Sequence, residues 1–170
     1  MTAVPLSETS PPVRLQAAGL ADVPVLAVLQ QGCFPEDPWG GESIAGLIGQ
    51  PGFFSVLALR DGGKEDGGAG DPVGFLLARV AAEDGEIIAV GVRPDARGQG
   101  TGRRLVAAAL DGARALGATA LFLEVAEDNG MAQSLYKSCG FCPVGRRPGY
   151  YRRGDGRVAA VVMRYLYTDE

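Results

Sequence analysis

The chain has 170 residues, 46% hydrophobic and 21% charged, an ordinary balance for one globular domain around a single core, and no apolar run of 18 residues that could cross a membrane as a helix. A net charge of −4 argues against nucleic acid as a partner and fits a cationic substrate such as an amine or a basic peptide. Histidine is absent, which excludes Ser-His-Asp, Cys-His and histidine-metal chemistry and leaves a carboxylate, a tyrosine, a cysteine or a water held by one of them as any general base.

The N-terminal stretch has no basic segment leading into an apolar one, so it does not read as a secretion signal, and a cytoplasmic protein is expected. Residues 1–12 are polar and proline-bearing and read as a flexible tail ahead of one domain over 13–170. Val13, Leu15 and Ala17 alternate with Arg14 and Gln16, the period of a strand. Asp22 opens a helix with Pro24 in its first turn, and Val25, Leu26, Val28 and Leu29 make its apolar face. C-F-P-E-D-P-W-G, beginning at Cys33, is a rigid aromatic loop that leads into a short helix at about 42–49. Residues 53–59 and 73–80 read as the two strands of a hairpin, joined by a flexible loop of low complexity at 61–72.

The most informative stretch follows. An apolar run at 87–92 predicts a buried strand, which Pro94 and Asp95 break. Arg97, Gly98, Gln99, Gly100, Thr101 and Gly102 come next, and from Arg103 to Leu116 the spacing is helical. Strand, glycine-rich turn and helix aim several backbone N–H groups and a helix N-terminus at one point, where an anion such as a phosphate fits. Glycine there lets the backbone come close, with no Cβ in the ligand's volume. No lysine follows the glycines, so the turn is not a P-loop. The glycines alternate, with no acidic residue about 20 positions on, so it is not a dinucleotide fingerprint either.

Residues 118–125 predict another strand, and Asp128 or Asn129 caps a helix that runs through Met131, Leu135 and Tyr136 to Ser138. Residues 141–145 and 158–165 are the closing strands, with a loop between them. The order β-α-α-β-β-β-α-β-α-β-β is a mixed α/β fold. Cys139 and Cys142 satisfy C-x-x-C, but the first closes a helix and the second enters a strand, the reverse of a redox motif.

Arg97, Gly100 and Gly102 stand in the defining places of Q/R-x-x-G-x-G/A, and the stretch resembles the acetyl-CoA loop of the GNAT (Gcn5-related) N-acetyltransferases. L-E-V-A-E-D-N-G-M-A-Q-S-L-Y-K-S-C-G-F at 123–141 is similar to that family's L-E-V-x-x-x-N-x-x-A-x-x-L-Y-x-x-x-G-F, above all in its RimI-type ribosomal-protein alanine acetyltransferases. C-F-P-E-D-P-W at 33–39 and R-R-P-G-Y-Y at 146–151 look like the same subfamily, and the resemblance spans roughly residues 13–165. It implies an α/β (α+β) fold with a central mixed, mostly antiparallel sheet of about six to seven strands, about four flanking helices, and a splay at the acetyl-CoA site.

Acetyl transfer to an amine needs a neutral amine, a polarised thioester carbonyl and a proton for the departing thiolate. A free α-amine, with a pKa near 8, is about a tenth neutral at pH 7, whereas lysine is almost wholly charged. Glu124 follows the apolar Leu121, Phe122 and Leu123, so burial at a strand end would raise its pKa towards a useful value, and the resemblance implies that it is the proton acceptor. Glu86, just before the central strand, is the rival base, acting through an ordered water. Tyr136 matches the proton donor to the coenzyme A thiolate. Each has a structural alternative: a carboxylate bonded at a strand end, a ring packed in the core. Asn129 matches a coenzyme-binding asparagine and can also cap its helix. Val90, Gly91 and Val92 are implied to present backbone groups to the pantetheine arm and thioester, although Gly91 can instead mark a bulge. Gly98, Gln99, Gly100, Thr101, Gly102 and Arg97 complete the implied cofactor set, and Arg103 and Arg104 are phosphate contacts or solvated charges.

Phe34, Trp39, Tyr150 and Tyr151 are candidates for clamping an acceptor peptide, and Glu36 and Asp37 could attract its cationic end. The implied activity is acetyl transfer from acetyl-CoA to a protein N-terminal α-amine, with the alanine of ribosomal protein S18 as the subfamily's usual target. Transfer in a ternary complex, without a metal, by a monomer or homodimer is expected. The alternatives are a GNAT enzyme acting on a small amine, such as a polyamine or aminoglycoside, and a coenzyme A-binding sensor without turnover.

Overall fold

A computed structural model describes residues 11–62 and 68–168. Residues 1–10 of the expected tail and 63–67 of the expected loop lie outside the described residues. In chain order the elements are β1 (Val13–Ala18), α1 (Val23–Cys33), α2 (Gly41–Ile48), β2 (Phe53–Arg60), β3 (Asp71–Ala81) and β4 (Asp84–Val92). They are followed by α3 (Thr101–Ala115), β5 (Ala120–Ala126), α4 (Gly130–Ser138), β6 (Cys142–Arg153) and β7 (Gly156–Leu166). Among the described residues no helix is long and apolar enough to cross a membrane.

The strands form one sheet in the order β1-β2-β3-β4-β5-β7-β6, antiparallel at every junction except β4–β5. Period-two alternation gives the sheet two apolar faces. Along β3, Leu76, Ala78 and Val80 point to the face covered by α3 and α4, where Leu105, Val106, Leu121, Phe141 and Met163 complete one core. Phe75 and Leu77 point the other way and meet Leu26, Leu29 and Ile44 of α1 and α2 in a second core. Phe75, Leu76 and Leu77 are wholly buried, and each large side chain so buried contributes about 1.5–3 kcal/mol.

The closing hairpin is longer than the sequence suggests. Residues 146–153, expected as loop, continue β6, because β7 offers a partner along its length apart from breaks between Pro143 and Gly145 and between Arg147 and Tyr151. Nearly every residue of β6 is exposed, so it carries no apolar alternation to read.

A four-charge network fastens the short turn after β4. Arg93 donates to Asp95 at 2.7 Å, to Asp71 at 2.8 Å and to the Pro72 carbonyl at 3.1 Å. Arg60 donates to Asp71 at 2.5 Å and to Asp95 at 3.1 Å. The Arg93 guanidinium, with Arg60 behind it, holds the Asp95 carboxyl down at about 2, against an ordinary 3.8. A carboxyl depressed in the folded state stabilises the fold above its unfolded pKa, and that contribution fades as pH falls towards the folded value. Asp95→Asn is therefore expected to melt below the wild type near neutral pH, with the gap in Tm closing between about pH 4 and pH 2. Thermal unfolding followed by circular dichroism across that range checks it.

Candidate active site

The site begins where the parallel ladder ends. β4 and β5 pair from Asp84–Ala120 to Ile87–Leu123 and then part, β4 staying with β3 as far as Val92 and β5 with β7 as far as Ala126. The parting coincides with a bulge: Ile87 lies opposite Ala78 and Ala89 opposite Leu77, which leaves Ile88 as an extra residue. A cleft of about 780 Å³ opens there, walled by residues 87–90 of β4, residues 123–126 of β5, and Asn129, Ala132 and Tyr136 at α4. Backbone groups of β4 and β5 that would have paired across the gap are left for a ligand.

Gly91 is not the bulge residue. It pairs in register with Phe75, and a Cβ on it would come within 2.8 Å of the Phe75 ring and 2.9 Å of Cys33, so glycine is what lets α1 press on β4. Val90 lines the cleft, whereas the Val92 side chain packs towards the α3–α4 core.

The glycine-rich turn has the expected form. Gly98 and Gly100 adopt φ of +76° and +81°, the left-handed region that glycine alone enters freely, and the space where their Cβ atoms would stand is open. Gly100 is the N-cap of α3 and caps nothing with a side chain. Among the described residues the N–H groups of 98–103 have no backbone partner, so a row of donors and a helix N-terminus converge, as an anion requires. Gly102 serves packing instead: its Cβ would stand 3.3 Å from Leu135 of α4. Thr101 is buried at the helix start and Gln99 is exposed. Arg97 lines the cleft, its Nε held by the Val92 carbonyl at 2.9 Å. Arg103 donates to the Ser138 hydroxyl at 2.8 Å and Arg104 to the Val13 carbonyl, so these two arginines brace the helix.

Glu124 stands at the corner of the parting, with 17% of its side chain exposed and Arg147 Nε 2.7 Å from its Oε1. The carboxylate that the sequence places at a buried strand end is thus ion-paired, by a residue the sequence reading did not single out. Tyr151 donates its hydroxyl to the Glu124 carbonyl at 3.2 Å, and burial holds that phenol above its ordinary value. Tyr150 lies beside the carboxylate, whose interaction with the phenol raises the Tyr150 pKa. Glu86 sits outside the cleft in a second recess of about 300 Å³, which it shares with Glu124, Arg147 and Arg79. It is half exposed, 3.8 Å from Arg79.

Tyr136 lines the cleft from α4, with its ring buried edge-on against Phe141. Burial pushes its phenol up to about 12, so the proton stays on well beyond neutral pH. Asn129 does two things at once: its Oδ1 caps α4 by accepting from Ala132 N at 3.1 Å, and the residue lines the cleft. Phe34 lines the opposite wall with its ring edge-on to Phe75. Trp39 does not reach the cleft. It packs on the α1–α2 core, and its backbone N–H donates to Gln30 Oε1 at 2.7 Å. Arg153 bridges Glu36 and Asp128 at 3.5 and 3.0 Å, joining the loop after α1 to the far wall. The sequence reads this stretch as a loop, and only the fold brings these partners together.

Comparison with known proteins gives the same fold. A family model described as the acetyltransferase (GNAT) family matches residues 27–141. The N-alpha-acetyltransferase RimI of Mycobacterium tuberculosis is 36% identical over 142 residues, 83% of this chain and 85% of that protein. The ribosomal protein bS18-alanine N-acetyltransferase of Escherichia coli K12 is 34% identical over 126 residues, 74% of this chain and 79% of that one. The crystal structure of the ribosomal-protein-S18-alanine N-acetyltransferase from Escherichia coli superposes with a TM-score of 0.79 at 24% identity, covering 94% of this chain and 96% of the other.

Gly91→Ala is expected to lose about 1–3 kcal/mol of stability by overpacking β4 against Phe75 and Cys33. Urea unfolding measures it, with Gly98→Ala as the control where a Cβ meets open space and only the positive φ is strained.

Proposed function

Because the chain belongs to the acetyltransferase (GNAT) family and is an N-acetyltransferase, we propose that it uses acetyl-CoA to acetylate the N-terminal α-amine of a protein. The proposed acceptor is the alanine of ribosomal protein S18, the substrate for which its relatives are named, and the proposed compartment is the cytoplasm. The observation that supports the reading best is the parting of β4 and β5 with Glu124 on one wall and Tyr136 beside it.

The donor set suits the coenzyme. The free N–H groups of 98–103 fit a pyrophosphate, the unpaired edge of β4 around Val90 fits an amide-bearing arm, and Asn129 adds a side-chain amide. The coenzyme supplies the acetyl group as a thioester. In this reading Glu124 accepts the proton that the α-amine sheds, and N–H groups of β4 polarise the carbonyl. Tyr136 keeps its phenolic proton up to about pH 12 and so has one to give to a departing thiolate.

Direct transfer in a ternary complex fits the cysteines. Cys139 closes α4 and packs against the α3–α4 core, and burial pushes the Cys33 thiol up, away from the reactive thiolate.

The test is turnover with acetyl-CoA on an Ala-led basic peptide, its N-blocked lysine-containing twin, spermidine and an aminoglycoside, following thiol release. Turnover on the free-N-terminus peptide alone is expected. Turnover only on a small amine, or coenzyme binding with no turnover, overturns the reading. Glu124→Gln is expected to cut kcat/KM by about 100-fold or more, and Tyr136→Phe to lower kcat while KM holds.

A further inference from the structure

We propose that Arg147 is a positioning residue for the acceptor amine: it fixes Glu124 at the corner of the parted strands and supplies the positive charge that keeps an arriving amine from being trapped as an ammonium ion. The inference rests on Glu124 being the proton acceptor of the proposed reaction. Arg147 Nε lies 2.7 Å from Glu124 Oε1, with 61% of the arginine side chain exposed against 17% of the glutamate. The guanidinium also lies 5.8 Å from the centroid of the Tyr150 ring. Tyr151 meanwhile holds the Glu124 carbonyl at 3.2 Å, so one hairpin grips both the side chain and the backbone of a single residue. The grip depends on the break in β6–β7 pairing between Arg147 and Tyr151, where Gly149 takes φ of +60°.

The arginine pairs with Oε1 and the Tyr150 phenol bonds the same carboxylate, so two β6 side chains orient the group that receives the amine's proton. An unpaired carboxylate in a narrow cleft would hold an ammonium as a salt bridge and raise its pKa, which works against forming the neutral nucleophile. A guanidinium beside the carboxylate offsets its charge and disfavours the ammonium form of the amine. The other charged or titratable groups lining the two recesses around Glu124 are Tyr150, Tyr151, Arg152 and Arg153 of β6, Arg157 of β7, Asp84 and Glu86 of β4, Arg79 of β3, Tyr136 of α4, Arg97 of the glycine-rich turn and, across the cleft, Cys33, Glu36 and Asp37. Arg79 is committed to Glu86 at 3.8 Å, so Arg147 is the cation in direct contact with the Glu124 carboxylate.

The experiment uses the full chain in wild-type, Arg147→Gln and Arg147→Lys forms. kcat and KM are measured against pH with the Ala-led peptide. Arg147→Gln is expected to move the acid limb of kcat to higher pH by about one unit, that is, tenfold in proton concentration. Arg147→Lys keeps the charge and is expected to return the limb close to wild type. A limb that stays in place in Arg147→Gln overturns the proposal, and so does Arg147→Lys behaving like Arg147→Gln. A wild type that turns over no peptide sinks the α-amine reading and this proposal with it, whereas a wild type that turns over with an unmoved limb in Arg147→Gln sinks this proposal alone.

Discussion

Everything at the site depends on two strands that pair for only part of their length. β4 and β5 share a parallel ladder from Asp84–Ala120 to Ile87–Leu123, and beyond it each strand keeps only its outer neighbour. A row of backbone groups left unpaired in a protein interior costs on the order of 1–3 kcal/mol for each group that finds no partner. The fold can carry this because the gap is wide enough for solvent or a ligand to reach those groups. The cleft is the consequence of that incomplete ladder and not a separate feature cut into a finished sheet.

Three packing arrangements keep the gap from closing. On one side Phe75 and Cys33 press against the bare Cα of Gly91, which ties β4 to α1 and β3 rather than to β5. At the far end of β4 the Arg93 and Arg60 pairs with Asp71 and Asp95 fasten the turn that carries the chain into the glycine-rich loop. On the other side β5 is held to β7 through Ala126, and Glu124 is gripped from β6 by Arg147 and Tyr151. The two halves of the sheet are thus each satisfied outward.

The sequence carried the order of elements well because most of them have a period. β3 alternates between two cores, and α3 shows its helical spacing directly after glycines that need left-handed φ. That Glu124, Tyr136 and Asn129 come together was legible for a local reason: they lie in a single stretch, 123–141, that resembles a family motif, and all three line the cleft. What was not legible involves contacts between distant stretches. β6 has no apolar alternation, so its arginines and prolines read as loop until β7 pairs with them. Trp39 is a large aromatic in a proline-bearing loop, and only the Gln30 contact shows that it is anchored to α1 rather than open to the cleft. Arg103 next to a phosphate-type loop invites an anion contact, and only the fold shows that it also donates to Ser138 of α4.

The same distinction explains why charge rather than shape completes the site. The chain as a whole is acidic, yet β6 and its turn bring Arg146, Arg147, Arg152 and Arg153 to the wall that holds Glu124 and Tyr136. Arg146 and Arg153 are occupied by Glu127 and Asp128, the residues just after β5, so they serve to lay the hairpin along the cleft. Arg147 turns instead to the Glu124 carboxylate. A stretch that by composition is a solvated basic hairpin therefore divides its arginines between two tasks. Arg146 and Arg153 hold the wall in place, and Arg147 sets the charge at the corner where β4 and β5 part, where the proposed reaction moves its proton.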